Sequence, residues 1–203
     1  MSGRKLKAIV VATLTLGLAV LTAGPAQAEG SAPAAPQAGT ERNTGGLTLA
    51  DVAKRSGVSA AALAGPYHIV NRHSRKCLTV QNASLGNTAP VVQYTCESSA
   101  PYNEDWYYDA ANLQFINGHS FKCLTVQNAS LGNTAPAVQY TCDNSAPYNE
   151  SWYGQENTWH IVNVHSNKCL TVKSASLGNN APVVQYTCDN SAPYNEDWEL
   201  ILS

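Results

Sequence analysis

From residue 67 to residue 203, short apolar runs alternate with stretches rich in Gly, Asn, Ser and Pro. In the last third these runs predict strands at 159–163, 169–172, 183–188 and 198–202. β-Branched and aromatic residues fill them, and turn residues separate them at 165–167, 175–180 and 191–193. The same pattern occurs three times without insertion. Cys77, Cys123 and Cys169 keep a constant step of 46 residues, as do Cys96, Cys142 and Cys188, and Trp106, Trp152 and Trp198. The phrases KCLTV, QYTC and SAPYNE stand in every copy. Such a repeat marks a supersecondary unit that buries its apolar face only against its neighbours. Twelve short strands in three equal units avoid long open edges by closing around a threefold axis. The pattern predicts an all-β domain over 66–203, with repeats at 67–112, 113–158 and 159–203.

Upstream the periodicity changes. Apolar residues over 47–63 recur at helical spacing, and Gly57-Val58-Ser59 reads as a turn between two short helices within a segment at 47–65. This piece resembles half of a helix-turn-helix and also the helical pair of a LysM module. It lacks the recognition helix of the first and the flanking strands of the second. The favoured reading is a helical spacer packed on the next domain. Residues 29–46 are small, Pro-containing and poor in large apolar groups, which predicts a flexible linker. Arg4, Lys5 and Lys7, the uncharged run 8–23 and Ala26-Gln27-Ala28 predict an export signal over 1–28. The run ends in Gly24-Pro25, not in a basic cluster, so a stable membrane anchor is not expected. The chain is expected to be secreted, in keeping with a bacterial type of signal.

Charge narrows the partners. Charged residues make up 13% of the chain and the formal net charge is −2, with three of the 12 basic residues in the first seven positions. An acidic body without clustered Lys and Arg does not suit a phosphate backbone, so nucleic acid is not an expected partner. Six cysteines in an exported chain predict disulfides, although six alone allow fifteen pairings. Zinc spacing is missing, with no short Cys-x-x-Cys or His-x-His pair. His73, His119 and His165 recur singly, which predicts turn-stabilising histidines and no metal site. No Gly-x-Ser-x-Gly, phosphate loop or His-Glu-x-x-His is present. Neighbouring acids such as Glu104 and Asp105 do not form the facing pair that glycoside hydrolysis needs. Neither enzyme activity nor a cofactor is expected.

The order Cys-Leu-x-Val, a Gly-containing turn, Val-Gln-x-Thr-Cys and a polar-x-Trp ending, three times over, resembles the ricin B-type lectin family. The resemblance covers about 67–203 and implies a β-trefoil with four short strands per repeat. It implies disulfides inside each repeat, Cys77–Cys96, Cys123–Cys142 and Cys169–Cys188, the pairing that the equal spacing also favours. It assigns Trp106, Trp152 and Trp198 to the core. The Gln of the family's QxW ending is replaced by Glu104, Glu150 and Glu196.

The resemblance also implies sugar pockets, in which an aromatic face meets a pyranose and polar groups fork onto its hydroxyls. The aromatic maps to Tyr94, Tyr140 and Tyr186, and the Asn before the Trp to Asn103, Asn149 and Asn195. The family's acid maps to Thr79, Thr125 and Thr171, which removes a charge-assisted bond worth about 1.5–3 kcal/mol. Glu104, Glu150 and Glu196 are the candidates to supply the missing carboxylate from the other wall. The family's polar Gln maps to Val92, Val138 and Val184, with Gln93, Gln139 and Gln185 one place later. The expected function is a secreted carbohydrate-binding module with up to three equivalent pockets and glycans or polysaccharides as partners. The alternative is a β-trefoil that has lost sugar binding and acts through protein contacts.

Overall fold

A computed structural model of the protein describes residues 47–97, 102–145, 148–155 and 158–203. The expected export signal and linker lie outside the described residues. Helix α1, Leu49–Ser56, opens with a capping box. Thr48 Oγ1 accepts the Asp51 N–H at 3.2 Å, and the Asp51 carboxylate accepts the Thr48 N–H at 3.1 Å. Gly57 ends it at φ 77°, a left-handed cap that costs glycine nothing. One 3₁₀ turn follows at Ala60–Ala62. The helical segment stops there, because Leu63 already begins the first strand.

The first copy holds β1 (Leu63–Asn71), β2 (Cys77–Val80), β3 (Val91–Tyr94) and β4 (Asp105–Asp109). The second holds β5 (Gln114–Asn117), β6 (Cys123–Val126), β7 (Ala137–Tyr140) and β8 (Trp152–Gly154). The third holds β9 (Ile161–Asn163), β10 (Cys169–Val172), β11 (Ala181–Tyr186) and β12 (Trp198–Leu202). The outer strands of each copy form a closed antiparallel barrel. β12 pairs β1, β1 pairs β4, β4 pairs β5 and β8 pairs β9. The bridges Gln114–Ser151 and His160–Asp197 join the remaining neighbours. The hairpins β2–β3, β6–β7 and β10–β11 form a triangular cap over one end, linked by Pro90–Val138, Pro136–Val184 and Pro182–Val92 pairs. This is the β-trefoil.

The expected strand 183–188 is shifted to Ala181–Tyr186. Beyond Tyr186 the Thr187 N–H is held by the Asn133 side chain at 3.0 Å, and Cys188 turns into its disulfide.

Alternation along β2 and β3 sends Leu78, Val80 and Val91 into the core and leaves Thr79, Val92 and Tyr94 on the other face. Trp106, Trp152 and Trp198 are fully buried, and their indole N–H groups donate to the carbonyls of Leu78, Leu124 and Leu170 at 2.9, 2.9 and 2.8 Å. The disulfides are Cys77–Cys96, Cys123–Cys142 and Cys169–Cys188. Each spans a sequence separation of 19, worth about 3 kcal/mol by loop closure.

Gln93, Gln139 and Gln185 fasten the copies to one another. Each is fully buried. The Gln139 amide donates to the carbonyls of Ser84 and Gly86, both at 2.8 Å. Gln185 grips Ser130 and Gly132, and Gln93 grips Ser176 and Gly178, so the clasp runs in a ring. Ser120 Oγ donates to the Gln139 carbonyl oxygen at 2.6 Å, with Ser74 and Ser166 doing the same in the other copies.

The turn containing His73, His119 or His165 is held by Asn71, Asn117 or Asn163, and in the third copy also by the imidazole, whose Nε2 lies 3.2 Å from the Ala129 carbonyl oxygen. Asn117 Oδ1 accepts the N–H groups of His119 and Ser120, both at 3.1 Å. Asn163 does the same for His165 and Ser166, and Asn71 accepts from Ser74.

Candidate functional site

The outer face of each cap hairpin carries the residues in question. In the first copy Thr79 pairs with Val92 and Cys77 with Tyr94 across β2–β3, which sets the threonine and the tyrosine on the same face. A pocket of about 260 Å³ lies there. Thr79, Tyr94, Asn103 and Glu104 all line it, so residues from β2, β3 and the loop before β4 come together in one place. Tyr94, Tyr140 and Tyr186 are 38%, 47% and 44% exposed, enough for a ring to offer a face to a ligand.

The threonine and asparagine act as a unit. Asn103 Nδ2 donates to Thr79 Oγ1 at 2.7 Å and to the Val80 carbonyl at 2.9 Å, while Thr79 donates to the Asn103 carbonyl at 3.1 Å. Asn149 and Thr125 repeat the side-chain link at 2.7 Å. In the third copy Thr171 turns to the Cys169 carbonyl at 3.1 Å, and Asn195 keeps only the bond to the Val172 carbonyl at 2.8 Å. In the first two copies both amide hydrogens of the asparagine are directed to the protein, and in the third, one is. Its Oδ1 accepts no hydrogen bond from the described residues.

Glu104, Glu150 and Glu196 are buried, at 6%, 5% and 5% exposure. One oxygen of each accepts a backbone N–H seven residues back, from Glu97, Asp143 and Asp189. The carboxylate thereby pins the wall that follows the second cysteine. Burial raises the pKa of all three, Glu150 to about 7. The groups behind them differ. His68 meets Asp105 at 3.0 Å, and His160 lies 3.3 Å from Asp197 and 3.7 Å from Glu196. Gln114 stands at that place in the second copy and donates to Glu150 at 3.0 Å. His160 also lies near the sulfurs of Cys169 and Cys188, but both are spent in a disulfide and offer no thiolate.

The first pocket also borrows from the neighbouring copy. Asn180 lines it, and its N–H donates to the Gln93 carbonyl at 2.9 Å. Thr88 and Thr134 make the same backbone bond to Gln139 and Gln185 in the other two copies. Gln81, Asn82 and Glu97 complete the first rim; the third copy carries Lys173, Ser174 and Asp189 instead. Sequence reasoning missed these rim residues. Their signal was the step of 46 residues linking Gln81 to Gln127 and Lys173.

Residues 65–196 match the family profile described as Ricin-type beta-trefoil lectin domain. None of the curated proteins matches significantly. Among solved structures, a designed threefold symmetric protein, ThreeFoil, is 35% identical with a TM-score of 0.59, over 68% of this chain and 99% of its own. An exo-beta-1,3-galactanase from Clostridium thermocellum, 1,3Gal43A, is 26% identical with a TM-score of 0.60, over 68% of this chain and 30% of its own. The C-half of an earthworm R-type lectin, solved with GalNAc, shares the fold at 11% identity, with a TM-score of 0.56 over 68% and 98% of the two chains.

Proposed function

The chain belongs to the ricin-type β-trefoil lectin domain family, and from that premise we propose that it is an exported carbohydrate-binding protein with three glycan pockets on the cap face. One observation carries the reading: in the first copy a half-exposed tyrosine borders a polar pocket of about 260 Å³. A tyrosine face and directed polar groups are what a pyranose requires. Tyr94, Tyr140 and Tyr186 serve as platforms. Asn103, Asn149 and Asn195 offer Oδ1 to sugar hydroxyls, with Thr79, Thr125 and Thr171 beneath them. Glu104, Glu150 and Glu196 hold the wall through one carboxylate oxygen and contribute the other to the ligand side.

Three sites on one rigid domain raise avidity on a polymer without any single tight site. The chain acts by binding and not by catalysis. Three disulfides and the basic-apolar leader at 1–28 support a place outside the cell.

The test is retention of the oxidised chain on a broad glycan array, with competition by free sugar. Binding is expected to fall to background in Y94A/Y140A/Y186A while the disulfides and fold persist. Thr in place of the family acid favours a second reading, a trefoil acting through protein contacts. A blank array from folded protein would select it.

A further inference from the structure

The barrel has three equivalent seams where successive copies meet, each beside the turn that leads into a cap hairpin. In each, an N–H just after the first strand of one copy donates to a carbonyl of the copy before. The pairs are Arg72 to Asp197 at 2.9 Å, Gly118 to Asp105 at 2.7 Å and Val164 to Ser151 at 2.9 Å. The backbone repeats but the side chains do not. At the first-to-second seam Phe121 packs against the N-terminal helical segment. At the second-to-third seam Leu113, Tyr148 and Val164 line a cavity of about 280 Å³. At the third-to-first seam a cleft of about 490 Å³ is lined by Arg72, His73, Arg75, Pro193, Tyr194 and Asp197.

We propose that this third-to-first cleft is a second binding site, distinct from the cap pockets, for the oxyanion of an acidic glycan, a carboxylate or sulfate ester on a sugar unit. Two guanidinium groups reach one cleft, and each remains largely unused. Arg72 meets Asp197 by one nitrogen at 3.6 Å, and Arg75 meets Glu199 by one nitrogen at 3.5 Å. Each guanidinium has five N–H donors, and contacts of 3.6 and 3.5 Å are longer than a normal hydrogen bond, so donors stay open to a ligand. Asp197 is drawn inward as well, by His160 at 3.3 Å. Arg72 lies over the Trp159 ring, its Cζ 4.4 Å from the centroid, which restrains the guanidinium at the cleft. Tyr194, 48% exposed, adds a ring face of the kind a sugar takes. Planar bidentate recognition of carboxylate or sulfate is what such an arrangement supplies. The chain as a whole carries a net charge of −2, so attraction to a polyanion has to come from a local site.

The full oxidised chain is to be measured on immobilised dextran sulfate, polygalacturonate and neutral dextran at about 50 mM salt, where screening is modest. Binding to one of the acidic polymers in excess of dextran is expected, and the stronger of the two tells sulfate from carboxylate. R72Q/R75Q should weaken that excess about tenfold or more. R75Q alone should weaken it about threefold; Arg75 is 64% exposed in its side chain, so its loss does not threaten the fold. Y94A/Y140A/Y186A should leave the excess unchanged. Equal binding to all three polymers would overturn the proposal, as would wild-type binding by R75Q and R72Q/R75Q. Loss of the excess in the tyrosine variant would overturn it too. Loss of neutral-glycan binding alone in that variant concerns only the cap pockets, so the two readings fail separately.

Discussion

The cap hairpins and the seams beside them obey different rules within one repeat. At the cap, Gln93, Gln139 and Gln185 grip the same two carbonyls of a neighbouring copy with nearly the same lengths. At the seams, equivalent positions carry Arg72, Gly118 and Val164, or Arg75, Phe121 and Asn167. One seam is packed by α1, one is apolar and one is cationic. The buried Gln amide of each cap hairpin finds its acceptors only in a neighbouring copy, so every copy needs the same clasp. The seams are already closed by backbone pairing, which leaves their side chains free to diverge. Uniformity is therefore a mark of assembly here, and divergence marks where individual roles are open.

The largest effect that could break this contrast comes from the clasp. Gln139→Ala deprives the Ser84 and Gly86 carbonyls and the Ser120 hydroxyl of their buried partner. A loss of about 2–4 kcal/mol is expected from urea denaturation. Q93A and Q185A should match it to within about 1 kcal/mol, since the same bonding in all three copies implies the same cost. Unequal losses would mean that the cap is threefold in shape but not in energy.

A smaller and local effect is expected at the seam packed by α1. Val52 of α1 is fully buried in a cluster with Leu63, Tyr107, Ile116 and Cys123, while Cys142 packs at its edge. Arg55 stacks over Phe121 at 4.7 Å. V52D should cost about 2 kcal/mol, less than the clasp, because the helix can swing into water without opening the barrel. Timed reduction and alkylation should then show Cys123–Cys142 reducing faster while the other two disulfides keep their rates. Uniform acceleration of all three would refute a local role.

The same contrast explains what was legible in the sequence. Cys, Trp and the four-strand pattern repeat at fixed spacing, and each acts within its own copy. The disulfide pairing and the indole bonds to Leu78, Leu124 and Leu170 therefore followed the period. Gln93 reaches Ser176, 83 positions away, and no local pattern encodes that partner. Strand parity held a clue, because Gln93 shares its face of β3 with the core residue Val91. The turn histidines share their task with the adjacent asparagines, since Asx side chains bond the backbone at short range, while the His165 ring adds a contact to the Ala129 carbonyl of the neighbouring copy. The specialised seams were the least legible, because they join the turn at 72–75 to residues about 120 positions later. Only closure of the barrel brings those together.

The smallest predicted effect tests whether the pocket walls are as uniform as the clasp. Burial raises Glu150 to about 7 from an ordinary value of 4.5. A carboxyl that holds its proton more tightly when folded adds stability below about pH 4.5, and that contribution is lost as pH rises through about 7. Glu150→Gln removes the titration yet keeps an amide oxygen to accept the Asp143 N–H. Its melting midpoint relative to wild type should therefore climb between pH 4.5 and pH 8. At the upper end a gain of about 2–4 °C is expected, the response of a domain this size to about 1 kcal/mol. Glu104 and Glu196 are raised too, but His68 and His160 act on them in the opposite sense. E104Q and E196Q should accordingly gain less than E150Q over that range, because the histidines offset part of the burial of Glu104 and Glu196 whereas Glu150 has the neutral Gln114. Equal gains in all three would show that burial alone sets these carboxyls and that the histidines behind two of the walls are electrically idle.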